Sequence, residues 1–175
     1  MAPEVELTQP VLDVVLAPGD VLEAGANDGQ AAAVLAKLFW PRTVLAIEPM
    51  VVNARSVSAI AQEHWNVQAL RAGLGEVDGR SVYGSALEST AGTRSQTGKG
   101  AGFRQRERAS SRWIPFDVFA IDTLFRTRKL ALAHLDLEGW EEAALRGARE
   151  TLRRDRPLLT VESFPVHAHL AHRNL

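Results

Sequence analysis

Apolar residues along this chain alternate between short continuous runs and helical spacings, a pattern typical of strands that alternate with helices. The first run begins at Val21 and contains one acid, Glu23. A turn with Gly25 and Gly29 follows, and apolar positions at helical spacing then continue to Leu38. This order predicts a strand, a turn and a helix, the opening of an α/β unit.

The same alternation continues along the rest of the chain. β-branched and apolar runs predict further strands at 43–47, 67–70, 116–121, 130–137 and 158–161. Helical spacing or capping residues predict helices at 8–16, around Val57, at 123–128 with Asp122 as its cap, and at 140–154. The stretch 73–112, rich in Gly, Ser, Thr and Arg, has neither pattern, so we predict a mobile insertion there.

Composition narrows the class of protein. The 175 residues are 46% hydrophobic, enough for one core, and we predict a single domain over residues 1–175. The chain contains no cysteine, which excludes disulfides and thiolate metal sites. Its net charge of -1 gives no general attraction to nucleic acid or membranes. No apolar stretch is long enough to span a bilayer and no signal peptide is evident, so we expect a soluble, cytoplasmic protein.

Basic residues concentrate within 89–112, opposed there by Glu107 alone. The simplest interpretation is a solvated loop. The alternatives are a basic lid over an anionic or polar substrate and a contact with nucleic acid, a partner that we do not otherwise expect.

Acids and glycines at the ends of the predicted strands are candidates for cofactor binding. Two glycines let the backbone turn tightly and approach a ligand. The spacing Glu23-x-Gly25-x-x-x-Gly29 departs from the G-x-G-x-x-G of dinucleotide sites. It suits a nucleoside that carries an amino acid, whose ammonium group Glu23 could bind. An ordinary glycine-rich turn is the alternative.

Several motifs occur together in one order: residues 23–29 (EAGANDG), 47–49 (IEP), 135–141 (LDLEGWE), 145–148 (LRGA), and 156–157 (RP) through 161–162 (VE). In sequence and spacing they resemble the FkbM-type methyltransferases, from about Val11 to Glu162. The resemblance implies a class I methyltransferase fold, a Rossmann-like three-layer α-β-α sandwich, with S-adenosylmethionine as the methyl donor. It also implies that the sheet here lacks strands 6 and 7 of that fold.

The resemblance implies a cofactor site at the strand ends. The methionine end of the cofactor would contact Glu23, Gly25, Ala26, Asn27, Asp28 and Gly29. Glu48, with Pro49 beside it, would accept hydrogen bonds from both ribose hydroxyls. Near the adenine would lie Gly73, Leu74, Gly75 and Glu76.

The catalytic candidates lie around the end of the fourth strand of that fold. Asp136 is the first choice to orient or deprotonate a substrate hydroxyl, and alternation places Glu138 on the same side if the strand continues. Alternatively, Asp136 only binds the cofactor ammonium, and Glu138 only caps the following helix. His134 stands where relatives often carry Lys, and is either a second base or a hydrogen-bonded strand residue. Glu162 either faces the site or is a structural acid.

The end of the chain favours a truncated tail at 163–175, which would leave the last strand as an exposed sheet edge. Such an edge favours a homodimer. In the tail, His167, His169 and His172 are too irregularly spaced to predict a metal site.

The leading hypothesis is therefore a methyltransferase dependent on S-adenosylmethionine that acts on a hydroxyl of a small molecule or sugar. The first alternative is a non-catalytic or truncated Rossmann-like domain that serves in cofactor binding or interaction. A further alternative is an NAD-dependent oxidoreductase-like domain, which also has an acid after the second strand. The G-x-G-x-x-G spacing of such domains is missing from this sequence.

Overall fold

A computed structural model describes residues 17–85 and 112–162. Those residues form eight strands: β1 (Asp20–Ala24), β2 (Val44–Ile47), β3 (Val67–Leu70), β4 (Ala72–Leu74), β5 (Gly79–Ser85), β6 (Arg112–Phe119), β7 (Leu130–Leu135) and β8 (Leu158–Val161). Five of the strands make a parallel sheet in the order β3-β2-β1-β7-β8. The central strands β2, β1 and β7 are strongly apolar, as expected for strands that are covered on both faces.

Helices cover both faces of this sheet. They are α1 (Gln30–Leu38), α2 (Val51–Glu63), α3 (Ile121–Leu124), α4 (Glu141–Arg146) and α5 (Arg149–Asp155). Residues of α1 and α2 pack with Val21, Val44 and Leu132 on one face, while α3, α4 and α5 pack with Leu22 and Leu135 on the other. The predicted three-layer α-β-α, Rossmann-like fold is confirmed.

A second, smaller sheet includes residues 79–85, the early part of the mobile insertion predicted at 73–112. Strands β4, β6 and β5 pair in that order, and β5 and β6 form an antiparallel ladder from Gly79 opposite Val118 to Ser85 opposite Arg112. Phe116 and Val118 of β6 are buried, with Met50 packed against them. Strand β5 has few apolar residues of its own, and its pairing with β6 cannot be read from local pattern. Residues 86–111, which include most of the basic segment 89–112, lie outside the described residues.

The predicted helix at 140–154 is in fact two helices, α4 and α5, separated at Gly147 and Ala148. A Cβ on Gly147 would collide with the carbonyl oxygen of Gly75, so α4 ends where the chain packs closely against the β4–β5 turn. The carboxylate of Asp122 accepts hydrogen bonds from the N–H groups of Glu150 (3.1 Å) and Thr151 (2.7 Å) in the first turn of α5. Asp122 therefore caps α5, and not the segment 123–128 as predicted.

The last described strand, β8, pairs with β7 and has no second partner among residues 17–85 and 112–162. The predicted helix at 8–16 and the tail at 163–175 lie outside the described residues, as does any strand after β8. Within the described ranges, no helix has the length and apolar character that crossing a membrane requires.

Candidate functional site

The strand order reverses between β1 and β7, so a crevice forms at their carboxyl ends, where ligands bind in open α/β sheets. The turn after β1 begins with Gly25, and the loop after β7 begins with Asp136. The Asp136 N–H donates to the carbonyl of Ala24 at 3.0 Å, and a Cβ on Gly25 would collide with the Asp136 carbonyl oxygen. Gly25 also has a φ of 85°, which favours glycine. These two loops therefore touch.

Gly29, the second glycine of the turn, has a φ of 87° and immediately precedes α1. A Cβ there would lie 2.8 Å from Cγ1 of Ile60 and 3.3 Å from Cα of Val57, both in α2. Glycine is thus required at both positions by contacts within the protein. The close approach of a ligand to this turn, expected from the sequence, stays a prediction.

The turn between the glycines is held by its own hydrogen bonds. Asn27 has a φ of 48°, in the left-handed region, and its side-chain carbonyl accepts a hydrogen bond from Nδ2 of Asn53 at 2.9 Å. Asp28 Oδ1 accepts from the N–H of Gln30 at 3.1 Å, while Ala26 is buried against α1. The predicted cofactor residues 25–29 therefore form a fixed turn at the crevice.

Glu48 directly follows β2 and is buried, with 5% of its surface exposed. Its Oε2 accepts the N–H of Asn27 at 3.0 Å, and its Oε1 accepts the N–H of Met50 at 2.8 Å. Burial raises the pKa of Glu48, and the two N–H groups oppose that shift. Each carboxylate oxygen can accept a second hydrogen bond, so the group can still bind ligand hydroxyls. The carbonyl of Pro49 accepts a hydrogen bond from Arg71 at 3.4 Å.

Glu23 and His134 face each other across the β1–β7 pair. Nδ1 of His134 lies 3.0 Å from Oε1 and 2.9 Å from Oε2 of Glu23. The Glu23 side chain is 2% exposed and the His134 side chain 37% exposed. Burial raises the pKa of Glu23, which the hydrogen bond and charge of His134 oppose. His134 is therefore a hydrogen-bonded strand residue whose ring still reaches the surface.

A second group of acids lies at the ends of β7 and β8. The N–H of Glu162 donates to the carbonyl of Leu135 at 2.9 Å, which brings Glu162 beside Asp136. A hydrogen bond with Asp136, desolvation, and the charges of Asp136, Glu138 and Glu141 raise the pKa of Glu162 to about 7. Glu162 therefore holds its proton up to about neutral pH.

The loop after β7 corrects two expectations for Glu138. The strand ends at Leu135, and Glu138 has a φ of 53°, so alternation does not place it beside Asp136. Nor does Glu138 cap the next helix, because α4 begins after Trp140 without a side-chain cap. Instead, Oε1 of Glu141 accepts the N–H groups of Leu137 at 2.8 Å and Gly139 at 3.2 Å. These two hydrogen bonds hold the loop between β7 and α4 in its conformation.

The residues expected near the adenine lie in different environments. The Leu74 side chain is 3% exposed and belongs to the core, because β4 packs beneath α4 and α5. Glu76 is exposed, and its carbonyl would lie 3.1 Å from a Cβ on Gly147. The Leu74 side chain therefore lies in the core and not in the candidate site.

The sequence did not indicate two residues that hold the site together, Asn53 and Glu141. Asn53 lies in the first turn of α2 and nothing in its neighbourhood signals its contact with Asn27. Glu141 had a signal, since an acid that begins a helix after a glycine often binds the free N–H groups of the preceding loop.

No group of three or more His, Asp or Glu side chains in residues 17–85 and 112–162 is arranged to hold a metal ion. His167, His169 and His172 lie outside the described residues.

The donor and acceptor groups at this edge fit a nucleoside that carries an amino acid. Glu48 offers acceptors for ribose hydroxyls, and Asp136 offers one for an ammonium group or a hydroxyl. A family model described as Methyltransferase FkbM domain matches residues 23–174. Searches of the curated proteins and of the solved structures each found no match.

Proposed function

The chain belongs to the family of FkbM methyltransferase domains, and from that premise we propose that it transfers a methyl group from S-adenosylmethionine to a hydroxyl oxygen of a small molecule or sugar. The observation that carries the proposal is the contact between the Gly25 turn and Asp136 where the strand order reverses. Asp136 follows β7 beside that turn, and Glu48 follows β2 on the other side of β1.

The cofactor would lie across the ends of β2, β1 and β7. Glu48 would accept hydrogen bonds from the ribose hydroxyls with the lone pairs that Asn27 and Met50 leave available. The fixed turn at 25–29 would contact the methionine end. When bound, S-adenosylmethionine supplies an electrophilic methyl group on a sulfonium ion.

Asp136 would then act on the methyl acceptor. A hydroxyl is a weak nucleophile until it loses its proton, and a carboxylate within hydrogen-bond reach can orient it and accept that proton. Holding the oxygen in line with the methyl group gives a further gain in rate. Glu162, whose pKa is raised to about 7, can share the proton that Asp136 receives. Glu138 remains a candidate for contacting the acceptor because it is exposed at the same loop.

Methyl transfer to a panel of sugars and small alcohols, followed with isotope-labelled S-adenosylmethionine, tests this proposal. Labelled product with the wild-type protein and a loss of about a hundredfold or more in Asp136→Asn would support it. Equal rates for the two proteins would remove Asp136 as the base. Labelled product that carries the methyl group on nitrogen or carbon would overturn the assignment to oxygen.

A further inference from the structure

The buried Glu23 and the partly exposed His134 form a pair at the base of the crevice. Each is the next-to-last residue of its strand, about 3 Å along the strand from the last one. The Nδ1–H of His134 donates to the Glu23 carboxylate, at 2.9 and 3.0 Å. Nε2 is on the far side of the imidazole ring, and the side chain is 37% exposed. The pair can therefore present Nε2 to a ligand.

The backbone of the glycine turn has few donors left for an anionic group. The N–H groups of Gly25 and Ala26 donate to the carbonyl of Ile47, each at 3.0 Å. Three more N–H groups of the turn donate to acceptors within the protein; they belong to Asn27, Gly29 and Gln30. The turn therefore does not offer the nest of free N–H groups that would bind a carboxylate.

At the ends of β1 and β7, the charged side chains within residues 17–85 and 112–162 are mostly acids. Residues 21–36 and 130–145 contain no Lys or Arg, and His134 is the one side chain in these two ranges that can carry a positive charge. His134 contacts Glu23, on which the charge of Asp136 also acts, and Asp136, Glu138 and Glu141 act together on Glu162, which follows β8. An anionic group that enters this crevice meets repulsion from the acids unless it pairs with His134.

We propose that His134, held by the buried Glu23, binds the carboxylate of the cofactor's methionine end through Nε2–H. This inference rests on the proposed use of S-adenosylmethionine. Glu23, expected from the sequence to bind the cofactor ammonium directly, instead fixes the His134 ring by its contact with Nδ1. The ammonium group then meets the acids at this edge of the sheet, so that the zwitterionic end of the cofactor meets groups of opposite charge.

Calorimetric titration with S-adenosylmethionine and with decarboxylated S-adenosylmethionine tests the inference without a methyl acceptor. In His134→Gln the affinity for S-adenosylmethionine should fall about tenfold to a hundredfold, the range expected for a lost hydrogen bond between charged groups. Affinity for the decarboxylated compound should change less than about threefold. His134→Lys, which keeps a cation, should restore most of the affinity for S-adenosylmethionine.

Two further variants control for folding and for the loss of a histidine. Glu23→Gln with His134→Gln leaves a neutral, hydrogen-bonded pair in the same place, and should lose affinity for S-adenosylmethionine as His134→Gln does. His64→Gln, at the end of α2 and the opposite edge of the sheet, should bind both compounds as the wild type does.

The outcomes separate this inference from the proposed function. If the double variant and His134→Gln bind S-adenosylmethionine as tightly as the wild type, the inference is wrong and the cofactor assignment stands. If the wild-type protein binds neither compound, both are overturned. Loss of affinity for both compounds in a folded variant would mean that the pair shapes the crevice without contacting the carboxylate, which also overturns the inference.

Discussion

The backbone N–H of Asn27 donates to Oε2 of Glu48 across 3.0 Å, and this bond ties the glycine turn after β1 to the end of β2. The same carboxylate binds the N–H of Met50 with its other oxygen. One buried side chain thus fixes both loops that border the proposed ribose site. Its loss should therefore affect both folding and cofactor binding.

Glu48→Ala leaves the N–H groups of Asn27 and Met50 without their acceptor. We expect the free energy of unfolding to fall by about 1–3 kcal/mol in urea denaturation, the range for a buried polar group left unpaired. Affinity for S-adenosylmethionine should fall at least about tenfold. Glu63→Ala, at the exposed end of α2, is the matched control and should change neither quantity. Unchanged affinity in Glu48→Ala would rule out the ribose assignment.

The contact between Gly25 and Asp136 predicts a strong effect of one methyl group. Gly25→Ala places a Cβ against the Asp136 carbonyl at a φ of 85°. The backbone strain alone costs about 1–2 kcal/mol, so the free energy of unfolding should fall by more than that. Gly79→Ala is the control, because nothing lies within 4 Å of a Cβ there. It should stay within about 0.5 kcal/mol of the wild type. Equal stability of the two variants would contradict the close approach.

The Asp122 cap predicts that α5 depends on a side chain nearly 30 residues earlier in the chain, bonded to Glu150 and Thr151. Asp122→Ala should lower the free energy of unfolding by about 0.5–2 kcal/mol, as the loss of a helix cap does. Asp122→Asn retains one acceptor oxygen and should recover a large part of the loss. Chemical denaturation of the three proteins measures this. An alanine variant as stable as the wild type would show that α5 needs no cap.

Glu162 predicts a pH dependence of stability. Its pKa is raised from 4.5 to about 7 in the folded protein, chiefly by Asp136. Between these values the folded protein holds a proton that the unfolded chain has released. This group's stabilising contribution is therefore present at low pH and lost as the pH rises through that window.

Glu162→Gln removes this contribution, so its free energy of unfolding should fall less than that of the wild type between pH 4.5 and 7. Urea denaturation at several pH values in this window measures the difference. Glu23 and Glu48, whose pKa values are also raised, remain in both proteins and act in the same direction. The same slope in both proteins would mean that the pKa of Glu162 is not raised in the folded protein.

Much of the fold could be predicted from the sequence because the central strands are strongly apolar runs. The turn from Gly25 to Gly29 and the acids that end β2, β7 and β8 also follow from local pattern. Each acid directly follows its strand, and the parallel strands bring them to one edge.

What could not be predicted depends on contacts between distant segments. The antiparallel pairing of β5 with β6 joins residues far apart in the chain, and the composition of β5 does not signal it. The break between α4 and α5 depends on the approach of Gly147 to Gly75 and on Asp122. The pairing of Glu23 with His134 depends on strand register, which no local pattern specifies. For the same reason the sequence did not reveal that Gly25 and Gly29 pack closely against Asp136 and α2.

The central claim is that the crevice between β1 and β7 binds S-adenosylmethionine. Calorimetric titration of the wild-type protein with S-adenosylmethionine, S-adenosylhomocysteine and NAD tests it most directly. We predict binding of the first two compounds and a much weaker interaction with NAD, whose diphosphate would face the acids of the crevice. Preferential binding of NAD, or no binding of any of the three, would contradict the account.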